Sequence, residues 1–385
     1  MGKSKAKIRK ICVVTGNRSE YSKLKPVMRA IKKNPKLKLI LIVTASHLLD
    51  DFGKTINAIR DDGFKINAVA RTIAAGEDLI SMAKSVGLCA LEIPTLLSLY
   101  KPDMVFVSGD RFDILGTVVS AAFMNIPIAH MEGGETTGSI DESIRHAITK
   151  LAHIHFPATA KSAERIIKMG ERPDMVFNVG CSAVDIILSK KNKPRSEIYR
   201  KYNLDKNKPF LIVVQHPVTT EYQYCRQQIR ETLKAISELK IKTIMLFPNV
   251  DAGSKDMVRE IRLFDIAKKL GHVTMGKNIV FEDYISLLAK ATCMVGNSSS
   301  GIRESCYFGT PTINIGTRQN GRERGKNVIN VGYDKAEIKK AILKSIQHGK
   351  YPPEYIYGKG NTSKKIVNIL STIELDNIIQ KKITI

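Results

Sequence analysis

The sequence predicts an α/β protein made of two doubly wound, Rossmann-like domains that face each other across a cleft. Short β-branched runs alternate throughout with segments of helical apolar period, which is the pattern of parallel sheets covered by helices. The alternation fails once, within residues 188 to 208, where charge and proline accumulate in KKNKPRSEIYRKYNLDKNKP. A chain of 385 residues is also too long for a single ordinary core.

The first set of elements opens with a strand at IRKICVVTG and a helix from about Glu20, followed by a strand at KLILIVTA. A long helix is expected around SMAKSVGLCALEIPTLLSLY, then strand DMVFVSG, helix ILGTVVSAAFMN and strand IPIAHM. The loop MEGGETTGSIDE leads into helix DESIRHAITKLA, strand HIHFPA, a helix near Ala163 and a strand near MVFNVG. The second set holds strands FLIVVQ, IKTIMLFP, NIVF, TCMVG and PTINIG with helices between them. The amphipathic stretch SKKIVNILSTIEL is expected to pack back across the junction. The resulting division is an N-terminal domain over 1–190, a C-terminal domain over 191–365 and a returning C-terminal helix over 366–385. Ligands of such sheets bind at the carboxyl ends of the strands.

Composition narrows the partners. The net charge of +24 invites a nucleic-acid reading. The lysines are instead spread over amphipathic segments, there is no Trp, and no basic stripe interleaved with aromatics stands out. No nucleic-acid partner is expected, and the charge is read as solubility or attraction of a small anion. Six cysteines occur singly, without a CxxC pair, which argues for reduced thiols in a cytoplasm and against zinc. The longest apolar run, around residue 40, is too short to span a bilayer, so no membrane association is expected.

The chemistry-bearing residues fall after strands. Arg18 and Lys23, in VVTGNRSEYSKL, either reach an anionic ligand or are ordinary solvated charges. Asp110 and Arg111 end VFVSGDR, as a cleft pair or a structural ion pair. Four carboxylates lie within MEGGETTGSIDE: Glu132 directly follows a strand, and Gly133–Gly134 allow a tight turn. Ser139 and Glu142 also form an S-x-x-E capping box, and Asp141 suits the helix N-terminus with Arg145 as its i+4 partner. Both acids thus have a structural reading beside a catalytic one. His216 ends the strand of IVVQHP. In GNSSSGIRE, hydroxyls and free N–H groups offer a phosphate seat, and Glu304 could accept from ribose hydroxyls. Arg318 and Arg322, in GTRQNGRERG, suit a diphosphate.

Together NRSEYSKL, SHLLDDFG, SGDRFD, EGGETTGSIDESIRHAITKLAH, QHPVTT, FPNVDAGSKDMVR, GNSSSGIRE and GTRQNGRERG resemble the hydrolysing UDP-N-acetylglucosamine 2-epimerases, GT-B-fold enzymes. The resemblance runs from Lys10 to about Asn361. It looks closest to the epimerase half of the animal bifunctional epimerase/kinase and to bacterial sialic-acid-pathway enzymes. It implies conversion of UDP-N-acetylglucosamine and water to N-acetylmannosamine and UDP through a 2-acetamidoglucal. The same chemistry on a UDP- or GDP-linked 2,4-diacetamido-trideoxyhexose, or a non-hydrolysing epimerisation, is the alternative. By motif position it implies Asp110, Glu132, Asp141, Glu142 and His216 as the catalytic group. Arg18, Lys23, His47, Arg111, Arg145, Asn249, Asp251, Ser298, Ser299, Glu304, Arg318 and Arg322 become substrate contacts. Arg259 and Arg262 resemble contacts for a CMP-sialic acid feedback inhibitor. No cofactor or metal is implied, and relatives of this kind form homodimers or homotetramers.

Overall fold

The computed structural model describes residues 8–76, 78–189, 194–268 and 270–384. Its first sheet contains β1 (Arg9–Thr15), β2 (Leu37–Thr44), β3 (Ala68–Ala70), β4 (Met104–Ser108), β5 (Ile128–Met131) and β6 (Ile154–Phe156), in the order β3-β2-β1-β4-β5-β6. Its second contains β7 (Phe210–Val214), β8 (Lys242–Leu246), β9 (Val273–Gly276), β10 (Cys293–Gly296), β11 (Thr312–Ile315) and β12 (Val328–Val331), in the order β12-β11-β10-β7-β8-β9. Read from β9, the second sheet repeats the winding of the first. All these pairings are parallel. In each sheet the winding reverses beside its first strand, between β1 and β4 and between β7 and β10, and that is where a crevice opens.

The helices of the first half are α1 (Arg18–Lys33), α2 (Ile56–Asp61), α3 (Leu79–Tyr100), α4 (Phe112–Phe123), α5 (Asp141–Leu151), α6 (Ala160–Lys168) and α7 (Ala183–Ile187). Those of the second are α8 (Arg195–Lys201), α9 (Cys225–Leu239), α10 (Ser254–Lys268), α11 (Phe281–Lys290), α12 (Ser300–Arg303), α13 (Lys335–His348) and α14 (Thr362–Thr372). The sequence chemistry explains the ends that matter. The Asn17 side chain accepts from the Glu20 N–H at 3.1 Å and starts α1 directly beyond β1. Gly134, at φ +75°, has no room for a side chain, because a Cβ there would lie 2.3 Å from the Ser162 carbonyl.

Each sheet is buried on both faces, as its unbroken Val/Ile runs demand. Leu24, Met28 and Ile31 of α1 cover one face of the first sheet, while Cys89, Ile93 and Leu97 of α3 cover the other. α3 is the one helix among the described residues long and apolar enough to cross a membrane; here it packs on α4. The second sheet is covered likewise, by Ile285 and Leu288 of α11 on one face and by Ile229, Leu233 and Ile342 on the other.

Several sequence expectations are corrected. MVFNVG, at 175–180, is not a strand. It makes one bridge, Val176 to His155, and then the neighbouring chain reaches Pro157, which has no N–H to extend a ladder. NIVF is not a strand either: its Val280 and Phe281 start α11, and the strand is β9, one turn earlier. The short edge strands β3 and β12 were not foreseen. The C-terminal helix spans Thr362–Thr372 rather than 366–385, because the backbone turns extended at Ile373. Ile366, Val367 and Leu370 of this helix join the core of the first sheet, next to α1. The expected domain boundary at 190–191, and the ends of the division at residues 1 and 385, lie outside the described residues.

Candidate active site

The strand ends at the two winding reversals face one another and enclose a cleft. From the first lobe it is lined by Arg18 and Lys23 after β1, Asp110 and Arg111 after β4, Glu132 after β5, and Asp141 and Arg145 of α5. From the second come His216 after β7, Asn249 after β8, Ser298, Ser299 and Glu304 around α12, and Arg318 and Arg322 after β11. Fourteen residues separated by as many as 304 positions therefore meet in one place.

The carboxylates are not equivalent. Asp110 is ion-paired with Arg145, which also donates to the Glu135 carbonyl at 2.6 Å. Burial alone would raise the Asp110 pKa, but the Arg145, Arg322 and Lys23 cations hold it well below the ordinary range. Glu132 is 2% exposed and accepts from Lys23 Nζ at 2.6 Å and from Arg303 Nη1 at 2.9 Å. Against the same burial penalty, Arg303 and Lys23 bring its pKa down to about 2. Asp141 goes the other way. Burial and the neighbouring Asp110 charge raise it, and Arg318, at 3.8 Å, does not compensate. At neutral pH the site thus combines two firmly ionised carboxylates with a third that holds its proton more tightly than a free Asp.

His216 sits at the end of β7, 5% exposed. Its Nδ1 accepts from the Asn249 backbone N–H at 3.1 Å, which leaves the ring proton on Nε2. Burial, then the Arg318, Arg18 and Arg111 charges, push its pKa well below 6.5, so it is a neutral hydrogen-bond donor. Beside it, Ser298 Oγ lies 3.1 Å from Ser300 Oγ, and Tyr284 OH lies 2.5 Å from Ser300 Oγ. Arg318 donates to the Asn297 carbonyl at 3.2 Å and Arg18 to the Lys277 carbonyl at 2.8 Å. Hydroxyls and guanidinium groups at such spacing can seat a diphosphate.

Other expected residues lie elsewhere. His47 is fully buried behind the cleft, with both ring nitrogens engaged by Thr15 Oγ1 at 3.0 Å and Thr55 Oγ1 at 2.6 Å, and burial lowers its pKa to about 3. Glu142 is off the cleft. The capping box does not form either, because Glu142 accepts from the Thr137 N–H at 2.5 Å and Ser139 bonds Asp141 instead. Asp251 is buried in an ion pair with Arg111 that joins the two lobes. Arg259 and Arg262, on α10, line a separate groove with Phe247 and Lys277.

Among the residues of the site not singled out from sequence are Glu20, Glu135, Arg303 and Gln319, together with Tyr284 and Ser300. Glu20 is a buried acid whose pKa is raised by burial and by Asp113, while its carboxylate accepts from the Gly16 N–H at 2.9 Å. Arg303 pairs with Glu132 and Glu135 from the opposite lobe. Signals for both existed, since Glu135 is one of the four acids in MEGGETTGSIDE and Arg303 adjoins Glu304 in GNSSSGIRE.

The UDP-N-acetylglucosamine 2-epimerase family model matches residues 29–371. The UDP-N,N'-diacetylbacillosamine 2-epimerase (hydrolyzing) of Legionella pneumophila is 34% identical over 377 residues, 97% of this chain and 99% of that protein. The UDP-N-acetylglucosamine 2-epimerase of Neisseria meningitidis serogroup B is 31% identical over 378 residues, covering 97% and 98%. The crystal structure of the Methanocaldococcus jannaschii UDP-GlcNAc 2-epimerase with UDP-GlcNAc and UDP superposes with a TM-score of 0.79 at 21% identity, covering 94% of this chain and 99% of that one. That likeness carries the two-lobed GT-B arrangement. These relatives are prokaryotic, so the particular closeness to the animal bifunctional enzyme expected from the motifs does not come from them.

Proposed function

Because this chain belongs to the UDP-N-acetylglucosamine 2-epimerase family, we propose that it is a hydrolysing 2-epimerase of UDP-N,N'-diacetylbacillosamine. It would release UDP and the free sugar with C2 inverted. Support for the substrate comes from the Legionella relative, which matches nearly end to end at 34% identity. This reverses the order expected from sequence, where UDP-N-acetylglucosamine came first. The chemistry rests on one arrangement: Asp110 and Glu132, whose neighbouring cations lower their pKa values, stand with Asp141, whose pKa burial raises, opposite a seat of serines and arginines.

Removing a C2 proton needs a positioned base, and Glu132 or Asp110 is held ionised for it. The C–H electron pair forms the C1–C2 double bond while the C1–O bond to UDP breaks. Arg18, Arg318 and the Ser298–Ser299 turn receive the diphosphate charge, and His216 Nε2–H donates to it. Asp141 then protonates C2 from the opposite face as water adds at C1 and gives its proton to an ionised carboxylate. The product is a free sugar.

UDP-N-acetylglucosamine as substrate is the second reading, favoured by the Neisseria relative at 31% identity. Feedback by an acidic nucleotide such as CMP-sialic acid at Arg259 and Arg262 belongs to that reading. Measuring free UDP with each sugar nucleotide in parallel separates the two. The proposal expects kcat/KM to favour the diacetamido sugar by at least about tenfold, roughly 1.4 kcal/mol in transition-state binding. A reversed preference establishes the second reading, and no UDP from either sugar overturns both.

A further inference from the structure

Glu132 is an unusual place for an acid. It is a non-glycine residue at φ +67°, in the left-handed region, although its N–H still continues the ladder to the Phe156 carbonyl at 3.0 Å. Backbone strain of this kind persists where the surroundings over-determine a side chain. Lys23, from its own lobe, reaches one carboxylate oxygen at 2.6 Å, and the Cys181 thiol donates to the other at 3.3 Å. The remaining partner comes from the opposite lobe. Arg303 grips both oxygens, Nη1 on Oε2 at 2.9 Å and Nη2 on Oε1.

Arg303 is itself fixed. It is 2% exposed, its guanidinium lies 5.0 Å from the Tyr357 ring centre, and its Nη1 is 3.1 Å from Glu135 Oε1. Glu135 in turn is 3.1 Å from Arg322 of the second lobe. Charges therefore alternate across the gap: Glu132 and Glu135 from the first lobe, Arg303 and Arg322 from the second. A two-pronged guanidinium fixes a carboxylate in orientation as well as charge, which a single ammonium cannot do.

We propose that Arg303 is the positioning residue for the Glu132 carboxylate, and that it acts only when the second lobe has closed on the first. Closure around the nucleotide and arming of the proton-transfer group are then one event. In an opened cleft Glu132 keeps Lys23 but loses its fork, so it is both less well aimed and easier to protonate. A substrate bound to one lobe alone then meets a Glu132 carboxylate that the fork does not aim at it.

The test uses the full-length protein with Arg303→Gln and Arg303→Lys, and two readouts. In the first, Glu132 is followed by carboxyl carbon NMR on glutamate-labelled protein, its signal assigned from Glu132→Gln. The titration midpoint of Glu132 should rise by at least one pH unit in Arg303→Gln and fall back part of the way in Arg303→Lys. This arm does not depend on the reaction. In the second, which rests on the function proposed above, kcat of Arg303→Gln should drop at least about 100-fold at neutral pH. Its acid limb should move to higher pH, because a carboxylate that has lost a cation protonates more easily, and UDP affinity should stay within about threefold. Loss of UDP affinity with an unmoved Glu132 midpoint makes Arg303 a phosphate ligand and overturns the proposal. An unchanged midpoint in both variants overturns it as well. If the wild type turns over no sugar nucleotide, the reaction assignment fails while the titration arm still decides the role of Arg303. Should Arg303→Gln fail to fold, Arg303→Lys carries the same comparison.

Discussion

The carboxylates of the cleft differ by environment rather than by type. Glu132→Gln keeps the shape and removes the charge, so turnover is expected to fall at least about 100-fold while UDP still raises the melting temperature; retained turnover would remove Glu132 from the proton-transfer group. Asp141 gives a less obvious outcome. Its pKa is raised on folding, chiefly by burial, so its ionisation costs stability that is lost as pH rises from the unfolded value of 3.8 through the folded one. Asp141→Asn should therefore melt at a higher temperature than wild type at pH 7, show a weaker dependence of stability on pH above 3.8, and have no measurable turnover. A lower melting temperature at pH 7 would mean that its pairing with Arg318 outweighs burial. The residue types of this cluster were legible as a local excess of acids. Their inequivalence was not, because it depends on partners such as Arg145 and Arg303, 35 and 171 positions away from the acids they hold.

Elements carry the site to its place. Long buried strands with unbroken Val/Ile runs, β1 and β7, were plain in the sequence because both faces are covered. β9 and β12 were not, since they are four-residue edges with half-exposed side chains and little alternation. α14 shows what a returning helix contributes. Leu370 is fully buried against the first sheet's core, and Leu370→Ala should cost about 3 kcal/mol in denaturant unfolding. A cost under about 1 kcal/mol would show that α14 is not integral to that lobe. α3 points outward as well as inward. Ile80, Leu91 and Leu99 are 68%, 74% and 68% exposed, and Phe123, at the end of α4, is 88% exposed. Lys84 and Glu92 stand one turn either side of Leu88, so an antiparallel two-fold pairing there sets each Lys84 against the other copy's Glu92. For the homodimer or homotetramer expected from the sequence resemblance, an interface at this face predicts that Leu91→Glu sediments at a lower mass than wild type; an unchanged mass removes the face from any interface.

At the scale of the molecule, the two halves share an apolar cluster, in which Ala183, Val184 and Ile187 of α7 pack with Ile212, Val214 and Tyr357, and ion pairs cross between them at the cleft. Arg111 meets Asp251, Lys25 meets Glu282 at 2.7 Å, and Arg303 meets Glu132 and Glu135. The cleft they enclose holds about 180 Å³, less than the roughly 300–1,000 Å³ of ordinary ligand pockets. The arginine–carboxylate pairs that set its proton states cross from one lobe to the other, so they depend on how the lobes are placed. That each half is a parallel α/β set was readable from the alternation of strand and helix; the strand order was not, because the edge strands β3, β9 and β12 leave little signal. The way the halves close was not, because no local period records which arginine will face which acid. The central claim is that this closed cleft breaks the bond to UDP by taking the C2 proton. Running the reaction on UDP-N,N'-diacetylbacillosamine in heavy water and reading the products by NMR tests it most directly. The account expects free UDP together with a free, C2-inverted sugar carrying one deuterium at C2. A sugar that keeps its protium at C2, or an epimer still attached to UDP, would contradict it.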